Sequence, residues 1–190
     1  MNEDNFYYSA QQPPQISTRR KVLSTIASVF DPIGLVSPFV PIGKQILQEA
    51  CCAGLDWDDA LPEPIFRRYK DWCFQLNDLH LIKIRRCVKP ADFVTDSVEF
   101  HHFADASLHG YGVCSYLRLV DSNGKVSVSL IFAKSRVSPI KPVTIPRLKL
   151  TAAVLAVRCS VMLEREFKFD CPTKQFFDIF QILFVATRFS

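Results

Sequence analysis

No stretch of the 190 residues approaches the ~18–20 uninterrupted apolar side chains of a membrane-spanning helix, so no membrane partner is expected. The opening Met1-Asn2-Glu3-Asp4-Asn5 lacks the basic-then-apolar pattern of a secretory signal. The seven cysteines are odd in number and irregular in spacing, which argues against a secreted disulfide scaffold. Their one close pair, the adjacent Cys51-Cys52, has no zinc-ligand spacing. These absences point to a soluble chain in a reducing compartment. Neither sign of charge dominates: 23 basic against 19 acidic residues leave +4, which permits a nucleic-acid partner without requiring one. No internal repeat is visible. What is present is a 48% hydrophobic composition, which excludes wholesale disorder, in a length that suits one or two domains.

The first seventeen residues are polar, carry Pro13-Pro14 and read as an extended lead-in. Val22, Leu23, Ile26, Ala27, Val29 and Phe30 then recur at near-helical spacing, stopped by Pro32 and Gly34. A second helix is expected over Pro41–Cys52, with Ile42, Ile46, Leu47 and Ala50 on one face. A third is expected from about Pro64 to Leu76, with Phe66, Tyr69, Trp72, Cys73 and Leu76 periodic. The aspartates of Asp56-Trp57-Asp58-Asp59 stand where they can cap that third helix.

Near Val88-Lys89-Pro90 the hydrophobic period changes from helical to alternating. Val98–Ala104, Gly110–Val120 and Lys125–Ala133 read as strands, the last two joined at Asp121-Ser122-Asn123-Gly124, whose Asn-Gly is a strong hairpin signal. A helix follows from about Arg147 to Phe167, with Leu148, Ala152, Leu155, Cys159 and Met162 apolar, and a fourth strand is possible near Gln175–Phe180. The fold class is α+β.

Asp105 closes an otherwise apolar strand, where a carboxylate is costly to hide unless it caps a turn or binds a cation. His102-Phe103-Ala104-Asp105-Ala106-Ser107, Gly110-Tyr111-Gly112, Tyr116-Leu117-Arg118, Ala133-Lys134-Ser135-Arg136-Val137-Ser138-Pro139 and Ile145-Pro146-Arg147-Leu148 resemble the ribonuclease H-like region of Bel-Pao retrotransposon polyproteins. Upstream, Asp4-Asn5-Phe6, Arg20-Lys21-Val22-Leu23-Ser24, Phe30-Asp31-Pro32-Ile33-Gly34, Lys44-Gln45-Ile46-Leu47-Gln48 and Trp57-Asp58-Asp59-Ala60-Leu61-Pro62 resemble the segment joining that family's reverse transcriptase to its ribonuclease H region. The resemblance spans about residues 4–175. It implies a pol fragment without polymerase palm, protease or integrase. In that fragment residues 1–17 are the lead-in, 18–88 a helical reverse-transcriptase connection, and 89–190 a ribonuclease H-like domain, truncated and divergent after about 175. It also implies an intracellular, cytoplasmic setting, inside a virus-like particle for an intact element.

Ribonuclease H chemistry gathers several carboxylates around two divalent ions ~3.5–4 Å apart. The resemblance implies Mg or Mn as cofactor, an RNA–DNA hybrid as substrate, the rest of the pol polyprotein as partner, and Asp105 as the first metal ligand. Two departures stand out. The family's glutamate in Ile-Pro-Arg-Leu-Glu-Leu is Lys149 here, and an ammonium has no lone pair for a cation. The family's Trp-Thr-Asp-Ser string on the fourth strand is missing. Aligning Phe176-Phe177 puts its aspartate near Phe180, so Asp178 stands ~6–7 Å short of it along the strand. Lys134, Arg136, Lys141 and Arg147 form a basic stretch that can meet hybrid phosphates. His101 and His102 point to opposite sides of their strand and share no metal, while His80 and His109 have no paired spacing.

The expectation is therefore a catalytically degenerate pol fragment that needs no metal of its own. The alternatives are an active nuclease using Asp105 with a shifted Asp178, and a non-catalytic domesticated module that binds nucleic acid or a partner.

Overall fold

The structure, a computed structural model, describes residues 5–6, 17–81, 83–90, 92–167 and 173–178. Most of the expected lead-in and everything from residue 179 onward lie outside these. The chain divides into two compact units, Met1–Pro32 with Val36–Arg86, and Ile33–Leu35 with Cys87–Ser190. No helix among the described residues is long and apolar enough to cross a membrane.

The first unit holds β1 (Asn5–Phe6), α1 (Arg19–Ser28), α2 (Val40–Cys52), α3 (Glu63–Asn77), a 3-10 turn at Asp78–Leu81, and β2 (Ile84–Arg85), which pairs antiparallel with β1. Thr18 caps α1, its hydroxyl accepting the Lys21 N–H at 3.4 Å. Pro41 and Pro64 sit in the first turns of α2 and α3, where a missing N–H costs nothing. Val22, Ile26, Ile46, Ala50, Tyr69, Trp72 and Leu76 fill the core between these helices. The Trp72 indole is buried and its Nε1 donates to the Phe39 carbonyl at 2.9 Å. Its ring lies directly on Gly43, where an added Cβ would come within 2.5 Å of two ring carbons. Glycine inside α2 is thus required by close approach rather than by backbone angle. Tyr69 bonds Thr25 Oγ1 at 2.7 Å, and burial pushes its hydroxyl up to about 12.

Two expectations need correcting in this unit. Leu23 and Phe30 are exposed, because the α1 face that meets the core carries only Val22 and Ile26. The aspartates before α3 do not cap it either. Its cap residue is Pro62, while Asp58 forms a fork with Arg20 at 2.7 and 2.9 Å, and Asp59 accepts the Asp56 N–H. Trp57 lies under the Arg19 guanidinium, 4.4 Å from the ring centre.

The second unit holds β3 (Thr95–Ala106), β4 (Gly110–Asp121), β5 (Val126–Val137), α4 (Ile145–Phe167) and β6 (Thr173–Asp178). The sheet order is β5-β4-β3-β6, antiparallel except that β6 runs parallel to β3, with α4 as the crossover between β5 and β6. The β4–β5 turn falls where Asn-Gly predicts it. Gly124 takes φ +78°, and Asp121 Oδ1 accepts the N–H groups of Asn123 and Lys125 at 2.9 and 2.7 Å. Along the outer edge of β5, the Ala133 N–H donates to the Ile33 carbonyl at 2.8 Å.

The sheet face beneath α4 buries Phe100, Leu117, Leu119, Val113 and Ala106. The helix answers with Leu148, Ala152, Ala156, Cys159, Ser160 and Leu163. Leu155 is half-buried rather than central and Met162 is exposed, because the 3.6-residue turn swings both away from the line of closest contact. On the other face, Glu99 accepts from His101 at 2.8 Å and from Arg118 at 3.0 Å, and Phe103 meets Tyr116 edge-on at 5.7 Å between ring centres. The His101 hydrogen bond, with help from Arg118, holds the Glu99 carboxyl below its usual range against the opposing effect of burial.

Two outcomes follow. Gly43→Ala gains up to ~1 kcal/mol of helix propensity but overpacks the Trp72 ring at ~1–3 kcal/mol, so urea unfolding should show a net loss; an unchanged midpoint would contradict the packing. Since the Glu99 pKa is lowered on folding, its contribution is complete above its ordinary value of 4.5 and lost as pH falls below that through the folded value. Stability curves of wild type and Glu99→Gln should therefore converge in acid and differ by no more than ~1 kcal/mol at neutral pH.

Candidate functional site

The alternation of β3 sets the site. Phe100, His102, Ala104 and Ala106 occupy the register positions beneath α4, so Asp105, one residue from the strand end, falls on the alternate set. Leu148 and Ala152 pack on Ala104 and Ala106, which brings the first turn of α4 to the end of β3. From that turn Lys149 extends to Asp105, with Nζ 3.8 Å from Oδ1. The two side chains are 30% and 36% exposed, so the pair is partly hydrated and contributes ~0–1 kcal/mol. Yet Oδ1 itself is closed to solvent and accepts no hydrogen bond among the described residues. The contact is an ion pair at more than hydrogen-bond length, set by position rather than by geometry optimised for strength.

This arrangement does not fit a divalent ion. Magnesium takes oxygen ligands in near-octahedral geometry at ~2.0–2.1 Å. Among the described side chains one carboxylate, Asp105, faces an ammonium that can only donate. Among the described residues no three His, Cys, Asp or Glu side chains gather as a metal site.

The other sequence-predicted residues are spread out. Asp178 ends β6, and the register pairs it with Ala104, one position before the level of Asp105. The strand expected near residues 175–180 is thus present over Thr173–Asp178, and Phe180 lies outside the described residues. Lys134, Arg136, Lys141 and Arg147 are all exposed. The register pairs Lys134 with Val113 and Arg136 with Tyr111, both of which pack against α4, so both cations fall on the α4 side of the sheet; burial pushes the Cys159 thiol up and their charges act against that shift. The histidines separate as alternation requires. His101 joins Glu99, whereas His102 is fully buried with Nδ1 2.8 Å from Ser115 Oγ.

Sequence reasoning missed two features on this sheet. One is the buried His102–Ser115 pair. The other is an open groove of about 430 Å³ lined by His101, Phe103, Cys114, Tyr116, Arg118 and Val128. The signal for both lay in the period of two: residues 101 and 103 on β3 and 114, 116 and 118 on β4 occupy the face away from α4.

Comparison with known proteins bears on this fold. No curated protein matches the chain. A solved structure described as the foamy viral protease-reverse transcriptase in complex with dsDNA aligns at 13% identity and a TM-score of 0.23, over 94% of this chain and 34% of that one. The chain thus spans about a third of the length of that protein. A family model described as the Pao retrotransposon-like RNaseH-like domain matches residues 18–178, from the cap of α1 to the last residue of β6. Three antiparallel strands, a crossover helix and a parallel fourth strand sit inside that match, and the chain belongs to the Pao retrotransposon-like RNaseH-like domain family.

Proposed function

We propose that this chain is the connection and ribonuclease H-like portion of a Bel-Pao pol polyprotein, folded but silent in metal-dependent cleavage of RNA–DNA hybrids. The division at about residue 88 separates the connection from the nuclease-like domain. The observation that supports silence is the Lys149 ammonium 3.8 Å from Asp105. Hydrolysis of this class asks for concentrated negative charge that holds two cations. Replacing a glutamate by lysine moves the local charge by two units and leaves a cation of the protein's own beside the first carboxylate. Asp178 supplies no remedy in this reading, since the register sets it off the level of Asp105.

The exposed Lys134, Arg136, Lys141 and Arg147 support a residual role in holding a hybrid by its phosphates. Such binding needs no metal and reads shape more than sequence. It is therefore the property that outlasts loss of the catalytic carboxylates.

The purified chain is expected to show no Mg- or Mn-dependent cleavage of a labelled RNA–DNA hybrid above a chelated control. Robust turnover abolished by Asp105→Asn would establish the active-nuclease reading, and its loss in Asp178→Asn as well would make Asp178 the second carboxylate. Calorimetry supplies a sharper check. Lys149→Glu should bind Mn with measurable heat, and Lys149→Glu combined with Asp105→Asn should lose it. Equal Mn binding by wild type and Lys149→Glu would remove the ion pair from the explanation.

A further inference from the structure

The outward side of α4 carries a feature that hybrid cleavage does not use. Leu150, Val154, Val157 and Val161 are 67%, 46%, 52% and 53% exposed, although the opposite side of the same helix is packed on the sheet. Their spacing is four, three, four, the repeat by which an α-helix presents a continuous seam to another α-helix. Scattered exposed apolar residues are ordinary, but a contiguous row is the mark of a contact surface. At ~1.5 Å per residue the seam runs for about 16 Å.

The borders of the seam are unequal. With ~100° per residue, Arg147, Arg158 and Arg165 fall within about 20° of one line along the helix. All three are exposed, and neither Arg158 nor Arg165 forms an ion pair among the described residues. The other border holds Ala153, with Glu164 at its far end.

We propose that this stripe docks one amphipathic helix of a partner protein, which brings a matching four-three-four apolar seam and a row of acidic side chains against the arginines. Charge selects that occupant over a second copy of the chain. Antiparallel self-pairing sets arginine row against arginine row, and parallel self-pairing sets it against a border with no row of acids. The four side chains span only ~60° of the helix circumference, the narrow width of a helix–helix seam rather than the broad apolar face of a helix that lies in a lipid surface.

The test uses the full chain and two fluorescent three-heptad peptides with the same leucine seam, one flanked by glutamates and one by lysines. Anisotropy titration at low salt should show the glutamate peptide binding at least tenfold more tightly. Val157→Asp, at an exposed position, should weaken it by tenfold or more with an unchanged circular dichroism spectrum; Val154→Asp serves if that variant fails to fold. Arg158→Glu with Arg165→Glu should invert the preference between the peptides. Binding of neither peptide, or equal binding of both, overturns the proposal. So does a sedimentation mass of a dimer that Val157→Asp returns to monomer, or capture by phosphatidylserine vesicles that Val157→Asp abolishes without any peptide preference.

Discussion

Small side chains along one side of α4 let that helix lie close on β3 and β4. Between Leu148 and Leu163 the buried positions are Ala152, Ala156, Cys159 and Ser160, none with enough bulk to hold helix and sheet apart. The leucines at the two ends contribute most of the apolar burial, at ~1.5–3 kcal/mol for each fully buried side chain. The site inherits its geometry from this contact. Once Leu148 is seated on Ala104 and Ala106, residue 149 has no choice but to stand beside the end of β3, whatever its chemistry. A packing constraint thus carries a charged side chain to Asp105, and the weak ion pair records the placement without causing it.

Most of the architecture was legible because it rests on period and punctuation. The switch from helical to alternating spacing near residue 90, the Asn-Gly turn and the prolines opening α2 and α3 are local signals, and local signals survive in a single sequence. Side-chain partnerships across distant segments were not legible. Nothing near Asp58 indicates Arg20, and nothing near Gly43 announces that Trp72 lies on it. The α4 face was misjudged for a simpler reason. Leucine and methionine look like core residues, yet Ala156 and Ser160 occupy the inner line while Met162 and Val157 face out. Hydrophobicity alone ranks those positions in the wrong order. For the site, spacing could nominate Asp105, and the family resemblance drew attention to Lys149; only the helix–sheet contact brings the two together.

The identity of the residue at 149 matters more than its mere difference from glutamate. A neutral replacement would leave Asp105 able to attract a cation weakly from solution. An ammonium on a four-carbon stem instead places a positive charge beside that oxygen, which opposes any cation that approaches it. The pair should add little stability, because both side chains keep about a third of their surface in water, where attraction and hydration nearly cancel. Charge at this point is therefore free to change without unfolding the domain.

The hydrogen bond from Ala133 to Ile33 joins residues a hundred positions apart, so the sheet-bearing unit is discontinuous in the chain. Its β5 edge is capped by a short strap that leaves the helical unit after Pro32 and returns to it at Val36. Two consequences follow for how the molecule is made and cut. The strap is synthesised long before the strand it covers, and closing so long a loop delays completion of that edge during folding. A piece excised at Cys87 would lack Ile33–Leu35 and present part of β5 as a bare row of backbone donors and acceptors, the kind of edge on which strands of neighbouring molecules add. Cleavage that separates the sheet-bearing piece from the strap would therefore release material whose solubility, rather than whose core, is the first thing to fail.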